Sequence, residues 1–197
     1  MPEDARASGA LIGPNAILQL LPHLEARFGT DGTRDMLDLA GLEEVPDGSA
    51  MIPEEEAARL HRVMRIRAPE AARELAVLSG TGTADYILAH RIPRVAQAIL
   101  KALPAPLAAR ALTAAIRKHA WTFAGSGKFE PKGPWIFEIH DNPLIRGEKS
   151  ETPLCAWHAA VFERLYRVLV APDCRCVETC CRAQPGQDRC RFEITRG

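Results

Sequence analysis

The sequence lacks several features that would assign it quickly to a class of protein. It has no net charge, because 25 Lys and Arg balance 25 Asp and Glu, whereas a nucleic-acid-binding protein carries a basic excess. It has no apolar run near the roughly 18 residues of a membrane span. Its acidic start, Met1–Asp4, has no apolar core of a secretory signal. We therefore expect a cytoplasmic protein that neither crosses a membrane nor binds nucleic acid.

Cysteine is absent from the first 154 residues, and all six cysteines lie between Cys155 and Cys190. A secreted disulfide scaffold would spread its cysteines through a short chain. In the reducing cytoplasm such clustering favours metal binding over disulfides.

A dinucleotide-binding motif is also lacking. No Gly-x-Gly-x-x-Gly follows a strand-like segment, and the nearest approach, Gly80-Thr81-Gly82, lies in a helical context. A reductase needs a hydride source, which is usually a nicotinamide, a flavin or an iron–sulfur centre. The sequence therefore favours binding over redox catalysis.

The first half of the sequence is rich in Ala, Leu and Arg and predicts helices. Residues 1–10 are expected to be a flexible tail, and Pro22 to break or kink an early helix before a second helix over Asp31–Leu42. Gly80-Thr81-Gly82 is expected to loosen a later helix. Four further helix starts are predicted by their prolines: Pro53, Pro69, Pro93 and Pro104.

The second half predicts strands around one helix. The helix is expected over Cys155–Val170. Together with the first half this indicates one α+β domain over residues 1–197, with a helical N-terminal half packed on a mainly antiparallel sheet and a β-rich part over residues 121–197. The predicted strands are Trp121–Ala124, Trp135–His140, Cys174–Cys181 and Cys190–Ile194.

A tetrahedral Zn²⁺ site draws on thiolate, imidazole and carboxylate groups, all of which are present near the C-terminus. Cys181 and Cys190 flank a turn at Pro185-Gly186, so a hairpin brings both to one ion, and Cys155 lies at the start of the preceding helix. Cys174 and Cys176 share one strand face and fit a role as small buried side chains. The candidate ligands are Cys155, His158, Cys174, Cys176, Glu178, Cys180, Cys181 and Cys190.

The segment from Cys155 through Glu178-Thr179-Cys180-Cys181 to Cys190-Arg191-Phe192 resembles the 4-vinyl-reductase domain family. The resemblance implies an α+β fold with a structural Zn²⁺ that clamps a C-terminal β-hairpin. Carried over residue by residue, it implies Cys155, Glu178, Cys181 and Cys190 as the ligands.

One geometric difficulty concerns Glu178 and Cys181. Residues three apart in a regular strand point to opposite faces, so both can bind one ion only if the strand ends or bulges near Cys180. Without a bulge, Cys180 is the rival fourth ligand.

Two N-terminal segments, Gly13–Ile17 and Thr83–Pro93, are similar to the J-protein family of bacteriochlorophyll biosynthesis. The resemblance implies an accessory protein that carries or presents a Mg-porphyrin or chlorophyllide, with other pigment-pathway enzymes or a second copy of itself as partners. One alternative is an 8-vinyl (4-vinyl) reductase of that pathway with an external reductant, which is the activity from which the family took its name. Another is a small-molecule sensor module.

A tetrapyrrole site calls for aromatic walls, a basic rim and an imidazole. Trp121 with Phe123, and Trp135 with Phe137, are each expected on one strand face, although ordinary core packing explains such pairs equally. His90 and His119 lie at predicted helix ends. The candidate ligand-binding residues are Tyr86, His90, His119, Trp121, Phe123, Trp135 and Phe137.

Overall fold

The computed structural model describes residues 9–197, and its first half is helical. The expected tail over residues 1–10 falls almost entirely outside the described residues. No helix within the described part is long and apolar enough to cross a membrane. The helices are α1 (Asn15–Leu18), α2 (Leu21–Leu39), α3 (Glu54–Arg67), α4 (Ala72–His90), α5 (Arg94–Ala102), α6 (Ala105–Lys118), α7 (Trp121–Ala124) and α8 (Ala156–Leu169).

The second half forms a four-stranded antiparallel sheet in the order β3-β4-β6-β5. A short 3₁₀ helix at Pro143–Ile145 leads from β4 towards α8, and β5 and β6 form the C-terminal hairpin. The α+β architecture with an antiparallel sheet is therefore confirmed. The strands are β3 (Lys128–Gly133), β4 (Ile136–His140), β5 (Cys174–Cys180) and β6 (Arg189–Arg196), and a separate ribbon pairs β1 (Leu11–Ile12) with β2 (Ile52–Pro53).

Helix α8 lies between the sheet and α4 and forms the centre of the core. Phe162 on α8 contacts Phe137 on β4 at a ring-centroid distance of 5.0 Å and Phe192 on β6 at 5.3 Å. All three side chains are buried. Alternation along the strands directs these aromatic residues to one face of the sheet, so the β half packs on α8.

Prolines start three helices as the sequence predicts. Pro53, Pro93 and Pro104 each have an extended ψ angle directly before α3, α5 and α6. A fixed proline φ suits the entry to a helix, where the missing N–H would have no partner. Pro69 comes three residues before α4, which begins at Ala72.

The expected strand over Trp121–Ala124 is wrong, because these residues form the one-turn helix α7. The backbone N–H groups of Phe123 and Ala124 donate to Ala120 O, so the chain continues to coil after α6. Trp121 and Phe123 therefore do not share a strand face: Trp121 is 55% exposed and Phe123 is buried.

The early helix also differs from prediction. Pro22 lies in the first turn of α2, where proline is tolerated, and the break occurs at Gly29, whose φ of 72° favours glycine. Gly80-Thr81-Gly82 does not loosen α4, which is continuous from Ala72 to His90. A Cβ at Gly80 would overlap the carbonyl oxygen of Trp157, so this glycine permits close packing of α4 on α8.

Candidate functional site

The candidate metal centre lies at one end of the sheet, where four segments meet. Cys155 is the residue directly before α8, Glu178 lies near the end of β5, Cys181 follows β5, and Cys190 lies at the start of β6. One ligand atom from each of these four residues lies within 4.8 Å of every other. The structure therefore brings together the four ligands that the family resemblance implies.

The distances suit a small tetrahedral ion. The Sγ atoms of Cys155 and Cys190 are 3.3 Å apart. Two thiolates that each lie about 2.3 Å from a tetrahedral Zn²⁺ are separated by roughly 3.8 Å. A small outward adjustment of the side chains is enough to admit an ion between them.

A β-bulge removes the difficulty with Glu178 and Cys181. Glu178 pairs with Phe192 and Cys180 pairs with the next residue, Arg191, so Thr179 is an extra residue on β5. An inserted residue re-aims the side chains that follow it. Glu178 and Cys181 consequently reach the same cluster, as the sequence argument required.

Cys180, the rival ligand, lies outside the cluster. Its thiol is half-buried and donates to Gln187 Oε1 at 2.8 Å and to the carbonyl oxygen of Arg189 at 3.3 Å. These contacts hold Cys180 towards the hairpin loop, and the geometry therefore favours Glu178 as the fourth ligand.

The two oxygens of Glu178 have different environments. Oε2 accepts a 2.7 Å hydrogen bond from the backbone N–H of Cys155, whereas Oε1 is buried without a hydrogen-bond partner. Burial and the nearby Cys181 sulfur raise the pKa of Glu178 to about 8. A carboxylate held in such a place gains from a cation at its unpartnered oxygen.

The thiols are buried beside one another. Burial raises the pKa of Cys155 well above its usual value, while hydrogen bonds from Cys155 and Cys190 lower the pKa of Cys181 to about 2. The Cys181 sulfur also accepts from the backbone N–H of Leu154 at 3.4 Å. Removing a proton from one thiol therefore makes removal from the others harder unless a cation is present.

Asn142 is a member of the site that the sequence argument missed. Its side-chain nitrogen donates to the sulfur atoms of Cys155 at 3.3 Å and Cys190 at 3.9 Å, and its Oδ1 accepts from the backbone N–H of Leu144. The residue is fully buried. The available signal was its place in the turn Asp141-Asn142-Pro143 directly after a strand.

The donor set fits a divalent metal ion. Three buried thiols and one nearly buried carboxylate meet, and no Lys or Arg within residues 9–197 forms an ion pair with Glu178. Buried charges are ordinarily paired or bound to metals. Soft thiolate ligands favour zinc-like ions over magnesium or calcium.

The remaining thiols and His158 do not join this cluster. Cys174 and Cys176 point to the buried side of β5, where they fit the role of small core side chains. His158 Nε2 lies 3.2 Å from the carbonyl oxygen of Phe123, and its other ring nitrogen is buried without a partner. Burial lowers the pKa of His158 to about 4.

The candidate tetrapyrrole residues fall into two groups. Phe123 and Phe137 contact Phe162 in the aromatic core, and Trp135 is half-buried with its ring centroid 5.7 Å from that of Tyr166. These three side chains pack against the protein itself.

The other four candidates reach the surface. Tyr86 and His90 lie one turn apart on α4 with ring centroids 4.7 Å apart, and the Arg91 guanidinium lies 5.8 Å from the Tyr86 ring centre. His119 and Trp121 are exposed between α6 and α7. No ring contact among the described residues joins Trp121 to the Tyr86–His90 pair.

The fold is similar to that of H-NOX proteins. A structure of an H-NOX protein from S. oneidensis matches with a TM-score of 0.56 at 12% identity, covering 94% of this chain and 96% of that one. One from K. algicida matches with a TM-score of 0.53 at 12% identity, covering 94% and 97%. At this identity the likeness shows the fold.

Sequence relatives are much closer. Residues 135–196, which include all four candidate ligands, match the 4-vinyl-reductase domain. The bacteriochlorophyll synthase 23 kDa chain of Cereibacter sphaeroides is 52% identical over 185 residues, covering 93% of this chain and 89% of that protein. Its counterpart in Rhodobacter capsulatus is 48% identical over 177 residues, covering 89% and 83%. The chain therefore belongs to the family of the bacteriochlorophyll synthase 23 kDa chain and carries a 4-vinyl-reductase domain at its C-terminal end.

Proposed function

We propose that this protein is an accessory chain of bacteriochlorophyll biosynthesis that binds a Mg-porphyrin or chlorophyllide intermediate and presents it to a pathway enzyme. The observation that carries the proposal is the 52% identity, over 93% of the chain, to a protein named bacteriochlorophyll synthase 23 kDa chain. One H-NOX structure of similar fold comes from work on haem distortion, so a tetrapyrrole is compatible with this architecture.

Binding is favoured over vinyl reduction by the position of the glycines in α4. Gly80-Thr81-Gly82 is the stretch nearest to a phosphate-binding motif, yet it lies within a continuous helix and packs against α8. A dinucleotide motif instead opens a helix directly after a strand. A reductase of this sequence would need a separate protein or an unrecognised site to supply the hydride.

The surface group of Tyr86, His90 and Arg91 is the proposed contact for the pigment. It combines an aromatic face, an imidazole and a guanidinium on one stretch of helix. These groups suit a tetrapyrrole ring, its central Mg²⁺ and its carboxylate respectively. Trp121 and His119 are proposed as a second, exposed edge of the same site.

The metal at the C-terminal cluster is proposed to be Zn²⁺ in a structural role. Cys155, Glu178, Cys181 and Cys190 would fill all four tetrahedral positions and leave none open for substrate. The ion would tie the start of α8 to the β5–β6 hairpin. The proposal treats residues 1–197 as one ligand-binding domain, with residues 121–197 as its zinc-binding part.

Pigment titration tests the binding proposal. Adding chlorophyllide or a Mg-porphyrin to the purified protein should quench tryptophan fluorescence, because Trp121 is exposed near the proposed edge. His90→Ala and Tyr86→Leu should each weaken binding by about tenfold, which corresponds to about 1.4 kcal/mol. His23→Ala changes another exposed histidine and should leave binding unchanged.

A turnover assay separates the carrier from the reductase. Purified protein is incubated with a divinyl substrate and NADPH in the absence of other enzymes. Binding without formation of the monovinyl product supports the carrier role. Catalytic formation of that product would overturn it in favour of the reductase, and the absence of both binding and turnover would favour a sensor module.

A further inference from the structure

Residues 86–129 contain no acidic side chain. Because the whole chain is neutral, the rest of the sequence carries a matching excess of acids. The segment covers the end of α4 and all of α5, α6 and α7. Its charged residues are Arg91, Arg94, Lys101, Arg110, Arg117, Lys118 and Lys128.

Most of these cations have no carboxylate partner. Within the described part of the chain, Lys128 forms an ion pair with Glu130, and none of the other six is in one. Elsewhere ion pairs are frequent, as for Arg65 with Glu148 and Arg164 with Asp85. The positive charge of this segment therefore remains available to an external anionic surface.

Helix α5 also exposes an apolar face. None of its nine residues is buried, and Val95 and Ile99, one turn apart, are 72% and 57% exposed. Ala98 and Ala102 are exposed on the same side. Leu107, at the start of α6, is 47% exposed. We call the side formed by Val95, Ala98, Ile99 and Ala102 the α5 face.

Little within the protein accounts for this helix. Its attachment includes the Gln97 side chain, which donates to the carbonyl oxygens of Leu88 and Ile92. Isolated helices shorter than about 12–15 residues are marginal in water, and most helices in proteins are stabilised by burial of an apolar face. An external surface that covers the α5 face would supply that burial.

We propose that the α5 face, with the cations beside it, binds the surface of an anionic lipid bilayer. Val95 and Ile99 would enter the boundary between headgroups and acyl chains, while Arg94 and Lys101 at the edge of the face would contact lipid phosphates. The face consists of small and aliphatic side chains and lacks the Trp and Tyr that typify protein–protein hot spots, which favours lipid over an acidic protein.

Vesicle sedimentation tests this proposal with the full-length protein. The protein should sediment with vesicles of phosphatidylcholine and phosphatidylglycerol, less so as salt is raised, and weakly with phosphatidylcholine alone. Val95→Asn/Ile99→Asn should lower the affinity by about tenfold or more, since two aliphatic side chains no longer leave water. Arg94→Gln/Lys101→Gln should lower it by a similar factor on the anionic vesicles.

Matched variants control for general loss of surface apolarity or charge. Leu39→Asn/Ile66→Asn removes two aliphatic side chains that are 57% and 66% exposed on α2 and α3, and Arg62→Gln/Arg73→Gln removes two exposed cations. Both pairs should sediment like the wild type.

Three outcomes would overturn the proposal: no sedimentation with anionic vesicles, equal loss in the matched variants, or unchanged sedimentation of Val95→Asn/Ile99→Asn. Loss of pigment binding in that last variant would instead assign the α5 face to the pigment. Because vesicle binding is measured without pigment, its failure leaves the carrier proposal intact.

Discussion

The backbone N–H of Cys155 donates a 2.7 Å hydrogen bond to Oε2 of Glu178, and this bond joins the start of α8 to the end of β5. The same carboxylate keeps Oε1 buried and without a partner. One oxygen is thus fixed by the backbone while the other is left for the cluster. Partners of this kind orient a metal ligand and tune its basicity.

Glu178→Gln should lower the affinity for Zn²⁺ by at least about tenfold, because a neutral amide replaces the charged fourth ligand. Cys180→Ser should leave the metal content unchanged, since that thiol faces the hairpin loop. Elemental analysis and a competition titration with a chromogenic chelator measure both. Loss of zinc in Cys180→Ser with retention in Glu178→Gln would identify the wrong fourth ligand.

Removal of the metal should destabilise the fold. We expect Cys190→Ser, or chelation of the wild type, to reduce the free energy of unfolding by about 3 kcal/mol or more, which for a chain of this length lowers Tm by roughly 6–12 °C. Thermal melts with and without EDTA measure the change. Cys176→Ala is a control for a buried thiol outside the cluster, and its melt should remain sensitive to EDTA. Equal melts of the wild type with and without chelator would contradict a structural ion.

Two glycines of α4 should respond differently to alanine. Gly80→Ala should destabilise the protein by about 1–3 kcal/mol, because the new methyl overlaps the backbone of Trp157 where α4 meets α8. At Gly82 the added methyl would meet the end of the flexible Gln19 side chain. Alanine is favoured over glycine in helices by about 1 kcal/mol, so Gly82→Ala should be neutral or stabilising. Urea unfolding of both variants tests the packing role, which similar losses would contradict.

Glu138 should make stability depend on acid pH. Burial would raise the pKa of this carboxyl, but hydrogen bonds from Arg191 and Arg189 and the charge of Lys132 together lower it below the ordinary 4.5. A lowered folded-state pKa stabilises the protein above the unfolded-state pKa, and this stabilisation is lost as the pH falls through the folded-state value.

Glu138→Gln should therefore reduce the free energy of unfolding by about 1–3 kcal/mol at pH 7, since it leaves two arginines without their shared carboxylate. The deficit should shrink below pH 4.5. Glu130→Gln, on a carboxylate whose side chain is 35% exposed, should cost less than about 1 kcal/mol. Urea unfolding at pH 7 and at pH 3.5 measures both variants. A deficit that is unchanged at the lower pH would contradict the assignment.

The sequence predicts this fold well where local signals and burial agree. Pro53, Pro93 and Pro104 mark helix starts because the proline ring restricts the backbone in any context. Strand β3 was missed because Lys128–Gly133 combines charges with Pro131, a composition that is tolerated on an edge strand and gives a weak β signal. Helix α7 was missed because four residues are too few to show a helical period.

The candidate site was predictable in its residues and only conditionally in its geometry. The sequence pattern supplied Glu178 and Cys181 and required an irregularity between them, which the register shift on β5 provides. Asn142 was not predictable, because its contact with two sulfurs depends on how β4 meets α8 in three dimensions. The exposure of the α5 face likewise follows from tertiary packing, since the same apolar spacing would also suit a buried helix.

The extra residue at Thr179 makes the C-terminal centre sensitive to chain length. Thr179 is exposed, and its hydroxyl makes one 3.4 Å contact with Glu193, so many side chains are compatible with the position. Deleting it would restore regular pairing with β6 and turn the following thiols through half a strand repeat. Substitution at this position is thus a mild change, while loss of a single codon would disassemble a ligand set in which every ligating residue is still encoded.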